Sequence, residues 1–164
     1  MRFDDLNELP PWDDDEDEVD EGEEWKPNPT KDACKALYEK WNQIMIMITG
    51  AIATAKDIVD DVETESHLQD IKGMILGDAF EVGAKLRSSE AGGMYVLRME
   101  NAAIIRKNAQ AVKSFMLTLM FEGEMDEEHG TTIREAIDEF RELFKQWLVT
   151  FEKDEYKDEW GLFI

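Results

Sequence analysis

Arg98, Asn101 and Asn108 are the residues of this chain whose types and spacing most invite chemistry. They lie on one stretch, LRMENAAIIRKNAQAVKSF (97–115), that otherwise reads as an ordinary amphipathic helix. At roughly 100° per residue, its apolar face centres on Met94, Ile105, Val112 and Leu119. Asn101 and Asn108 fall in the middle of that face, and Arg98 stands at its border. An amide buried without a partner costs about 1–3 kcal/mol, so these groups demand partners. Two kinds fit. One is a structural network with Asp78 or Glu81, Thr54 and Thr150, fixing helix register as a buried Asn does in coiled coils. The other is a small polar or anionic ligand bound between helices by Arg98, Asn101, Asn108 and Asp78. Counting outward from a turn near residue 91 sets Asn101 level with Asp78–Val82, and Arg98 with Glu81–Lys85.

The other reactive side chains make no catalytic set. A carboxylate-bridged di-metal centre in a helical bundle needs Glu-x-x-His on two helices. Here Thr64 stands three residues before His67, and Asp126 three before His129. The run DEEH (126–129) reads as a charged helix start rather than a metal site. No phosphate-binding glycine loop, nucleophile elbow or zinc spacing occurs. Cys34 is alone, so it forms no intrachain disulfide and reads as an inert, partly buried thiol. The sequence thus predicts no metal and no cofactor, and points away from an enzyme.

These residues must be held by helices. The first starts at NPTKDA, with Asn28 as cap and Pro29 at the first helical position, or with Thr30 as cap. Its seam runs Leu37, Trp41, Ile44, Ile48, Ala51, Ala55, Ile58, Val62, in steps of four and three. A second helix is expected from a Ser66/Gln69 capping box, with Leu68, Ile71, Ile75, Ala79, Val82 and Leu86 inward. SSEAGG makes a turn, a third helix runs from about Met94 to Phe121, and Gly123 stops it. A fourth begins between Asp126 and Thr131, with Ile133, Ile137, Phe140, Phe144, Trp147 and Phe151 as its seam. Short connections between long amphipathic helices give antiparallel neighbours. The fold predicted is all-α: an antiparallel up-down-up-down four-helix bundle over 30–153, with an acidic N-terminal arm and a short apolar C-terminal tail.

The formal net charge is −21, and it is uneven: 13 of 39 acids precede residue 30, against Arg2 and Lys26 alone. Such a chain repels phosphates and anionic lipid, which argues against direct nucleic-acid or membrane binding. A nucleic-acid mimic stays open as a third reading. The arm, 1–29, cannot bury a core of its own, but Leu9, PPW (10–12) and Trp25 punctuate it, so it reads as an extended strap with apolar anchors. No apolar leader or run of 18 uncharged apolar residues occurs, making the cytoplasm the expected compartment.

Two outer surfaces are more apolar than solvent exposure requires. Ile46 points away from the seam of the first helix, and Gly73, Gly77, Phe80 and Ala84 line the back of the second. The tail, 154–164, ends in Trp160, Leu162, Phe163 and Ile164, and reads as a docking segment. The back face is expected to be covered by a second copy, by the arm or by this tail, with Trp160 and Phe163 buried against the chain or its mate. The function expected is therefore a non-enzymatic bundle acting through protein–protein contacts, as a homo-oligomer or with another protein. The alternative is the ligand site at Arg98, Asn101 and Asn108.

Overall fold

The computed structural model describes residues 9–12, 26–54 and 62–163. Among the described residues it is all-helical, with four helices and no strand: α1 (Pro29–Thr54), α2 (Val62–Ser89), α3 (Tyr95–Phe121) and α4 (Glu127–Leu148). The ends are set by local chemistry. Asn28 caps α1, its Oδ1 accepting the Lys31 N–H at 3.0 Å, and Pro29 follows where no N–H is needed. Asp126 caps α4 by accepting from Glu128 and His129, ahead of the acidic Glu127 and Glu128 that suit a helix start. Gly123, at φ 73°, closes α3 in a Schellman turn. Its N–H reaches the Met120 carbonyl at 3.1 Å, and the Glu124 N–H reaches that of Leu119 at 2.9 Å.

One predicted start is corrected. The second helix begins at Val62, so Ser66 lies inside it and does not cap it. The helix runs unbroken through VETES and past the serine. Val62 accordingly belongs to α2 and not to the seam of α1, while Ala55 and Ile58 lie outside the described residues.

The core is a single cluster to which all four helices contribute. α1 packs on α2 and α4, and α3 packs on α2 and α4. Trp41 sits at the centre, fully buried, its indole N–H donating to the Ala79 carbonyl of α2 at 2.7 Å. Its ring lies 4.8 Å from Phe140 of α4. Burying one such large apolar side chain contributes about 1.5–3 kcal/mol, and it is paired packing of this kind that fixes helix levels. Above it, Phe144, Trp147 and Phe151 stack in sequence with centroids 5.8 and 4.6 Å apart. Thr30 Oγ1 donates to the Thr150 carbonyl at 3.1 Å, tying the start of α1 to the end of α4.

Candidate functional site

Asn101 and Asn108 face α2, and Arg98 faces the turn that follows it, each at its own level. Asn108, only 5% exposed, donates from Nδ2 to Glu81 Oε2 at 2.7 Å. Seven residues earlier on α3 and seven later on α2, Asn101 Nδ2 meets Ser88 Oγ at 3.4 Å. Arg98 pairs with Glu90 at 3.2 Å and also donates to the Gly93 carbonyl at 3.2 Å. These are successive rungs of one seam, each with its own partner. Arg98 lines a cleft of about 350 Å³ together with Asn28, Thr30, Gly93, Thr150 and Glu152. Asp78 joins none of the rungs; burial, then Glu81, pushes its carboxyl up against the opposing pull of Lys107. The predicted levels are corrected by about two helical turns. Side-chain lean toward the start of each helix accounts for about one residue on each side, and the level at which α2 packs on α3 sets the rest. Thr54's side chain lies outside the described ones, and the Thr150 hydroxyl bonds within its own turn to Trp147.

The Arg98–Glu90 pair is nearly enclosed, at 13% and 8% side-chain exposure, with Glu90 Oε1 and Arg98 Nε lacking hydrogen-bond partners. Beside it Cys34 is fully buried and donates from Sγ to the Leu86 carbonyl at 3.2 Å. Burial, then the Glu90 charge, raises the thiol far above its ordinary value despite Arg98, so Cys34 is a protonated packing group rather than a nucleophile. Among the described residues no three His, Cys, Asp or Glu side chains gather as metal ligands, and no helix is long and apolar enough to cross a membrane.

The surfaces singled out from the sequence behave differently from one another. Phe80 is half-buried, because Leu9 docks beside it in a groove walled by Tyr38, Gly83 and Ala84. The Leu9 N–H donates to Asn42 Oδ1 at 2.9 Å, the Tyr38 hydroxyl donates to the Pro10 carbonyl, and Trp12 packs edge-on against Tyr38. Gly83 makes this possible: a Cβ there would stand 2.5 Å from Leu9 Cδ2. Gly73 and Gly77 are open, with nothing described within 4 Å of where a Cβ would stand. Ile46 is 46% exposed, at the lip of a cleft of about 400 Å³ shared with Met47, Gly50, Glu128 and His129.

Docking of the tail on its own chain is corrected. Trp160 is 91% exposed, and Leu162 and Phe163 are also exposed. Asp154 accepts the Tyr95 N–H at 2.9 Å and so holds the start of the tail at the N-terminus of α3. Beyond it, Asp158 accepts from the Trp160 and Leu162 N–H groups, closing a local turn that directs Trp160 outward. The backbone satisfies itself locally, leaving nothing to pull the aromatic back onto the helices.

One feature escaped the sequence reading. A groove of about 660 Å³ runs between α3 and α4, with Ala109, Ile137, Phe140, Phe144 and Leu148 along its floor. Five bases rim it, Arg106, Lys113, Arg134, Arg141 and Lys145, against one acid, Asp138. Lys113 and Arg141 both pair with Asp138, and Lys145 pairs with Glu142. The Lys113 hydrogen bond, reinforced by Arg141 and Arg134, holds the Asp138 carboxyl below its ordinary value. The signal was available as two pairs two turns apart, Arg106/Lys113 and Arg134/Arg141. Only packing shows that the two pairs line one groove. Comparison with family models, with curated proteins and with solved structures gives no match to the chain.

Proposed function

We propose that this protein is a non-catalytic helical module of the cytoplasm that works by protein–protein contact, first of all with a second copy of itself. The observation that carries the reading is Trp160: a large aromatic, 91% exposed, held outward by its own turn at the tip of an acidic tail. Isolated apolar residues on a surface are ordinary, but an ordered aromatic presented on a projecting turn is the form a contact residue takes. The half-exposed Ile46 and the open Gly73–Gly77 strip add apolar surface to the same account.

The helices are read as an up-down-up-down antiparallel bundle. The pairs Cys34–Leu86 and Trp41–Ala79, Asn101–Ser88 and Asn108–Glu81, and Thr30–Thr150 and Trp41–Phe140 support it, because one number rises as the other falls. Residues 1–29 are read as an acidic strap, supported by the seating of Leu9–Trp12 on α1 and α2. Light scattering and native mass spectrometry test the function. The wild-type chain is expected above monomer mass, and Ile46→Asp is expected to reduce it if that face is buried between copies. A monomeric wild type at all concentrations sinks the self-association reading.

A further inference from the structure

The α3–α4 groove is out of character with the chain that carries it. The net charge is −21 and there are 18 bases in all, yet five of them rim this one groove. The helix α3 itself holds Arg98, Arg106, Lys107 and Lys113 against Glu100 alone, a net of +3. On α4 the basic side chains on the groove side are Arg134, Arg141 and Lys145. Bases on a soluble acidic protein normally disperse among the acids; concentrated here above an apolar floor, they make a receptor for something acidic that carries an apolar anchor.

The described part of the chain offers one such object. Residues 152–159, EKDEYKDE, hold five acids and two bases, and Trp160 follows at once. We propose that the groove between α3 and α4 receives the acidic tail of a second copy of this chain, with Trp160 seated on the apolar floor and Glu155 and Glu159 meeting Arg141 and Lys145. This rests on the self-association reading. The contact is made in trans, because Asp154 is tied to the start of α3 and the Asp158 turn directs Trp160 away from its own helices. Both anchoring rim residues are accessible for it: Arg141 and Lys145 are each 60% exposed, and their present partners, Asp138 and Glu142, are surface acids that a tail carboxylate can replace. Exposed pairs of that kind are weak, so exchanging them costs little, while withdrawing the indole from water supplies the gain.

The test is a charge swap in the full-length protein, read by sedimentation velocity. Arg141→Glu with Lys145→Glu, and separately Glu155→Lys with Glu159→Lys, which leave the Asp158 turn intact, are each expected to weaken self-association about tenfold or more. All four changes together are expected to restore it to within about threefold of wild type. Trp160→Ser, at a position too exposed to affect folding, is expected to weaken association to a similar degree, which keeps the test decisive should a groove variant fail to fold. Raising salt from about 50 to about 500 mM is expected to weaken the wild-type complex, as screening requires. A wild type that associates while Trp160→Ser and the reversals leave it unchanged overturns the tail-in-groove contact and spares self-association. Weakening by both reversals without restoration in the swap also overturns the contact. A wild type that is monomeric throughout overturns both.

Discussion

Asn108 on α3 donates to Glu81 on α2 across 2.7 Å, so that an amide buried in the core is satisfied by a carboxylate that still reaches water. The two ends of this bond are therefore unequal, and removing each has a different consequence. Asn108→Leu leaves Glu81 solvated and is expected to be neutral or mildly stabilising. Glu81→Leu strands the amide and is expected to cost about 1–3 kcal/mol. Adding Asn108→Leu to Glu81→Leu should recover most of that loss. Urea unfolding of the three variants checks it, and equal losses from both single changes would contradict the asymmetry.

Arg98 and Glu90 give the opposite case, since both ends are enclosed. Arg98→Met leaves a buried carboxylate whose Oε1 already has no hydrogen-bond partner. The expected cost is about 3–5 kcal/mol, largely recovered when Glu90→Leu accompanies it. Chemical denaturation decides. An Arg98→Met variant within about 1 kcal/mol of wild type would show that the pair is not isolated from water.

Gly83 tests whether Leu9 is held as described. Alanine favours helix over glycine by about 1 kcal/mol, but its methyl would stand 2.5 Å from Leu9 Cδ2 and displace a side chain whose burial contributes about 1.5–3 kcal/mol. Gly83→Ala is expected to destabilise slightly and to speed hydrogen exchange at the Leu9 amide, which Asn42 now protects. In that background Leu9→Ala should cost nothing further. Unchanged exchange at Leu9 would refute the docking.

Asp78 carries a pH dependence whose sign follows from its surroundings. Burial and the Glu81 charge raise its carboxyl above the ordinary 3.8. Its contribution to stability is then fully present below that ordinary value and is lost as pH rises through the raised one. Asp78→Asn is expected to raise the melting temperature relative to wild type at pH 7, and to leave the difference near zero at about pH 3. A difference that does not change between the two pH values would remove Asp78 from the account.

The four helices and several of their ends were legible in the sequence because helix formation is local. The apolar spacing of Leu37 to Ile48 and of Ile133 to Trp147, the caps at Asn28 and Asp126, and the stop at Gly123 each depend on residues within a turn or two. Even there, Ser66 misled, since a capping residue marks a start only where the preceding residues resist helix, and VETES does not. The demand of Asn101 and Asn108 for partners was equally legible, as it follows from the cost of an unpaired amide. Glu81 was among the partners expected, but its match to Asn108, and that of Ser88 to Asn101, was not legible. That choice depends on side-chain lean, on the level at which α2 meets α3, and on the turn from Glu90 to Met94, all set by packing between distant residues. The same holds for Leu9 entering the notch at Gly83, for the turn that exposes Trp160, and for the meeting of Arg106 and Lys113 with Arg134 and Arg141. Local rules determine where each side chain sits on its own helix; only the tertiary contacts decide what stands across from it.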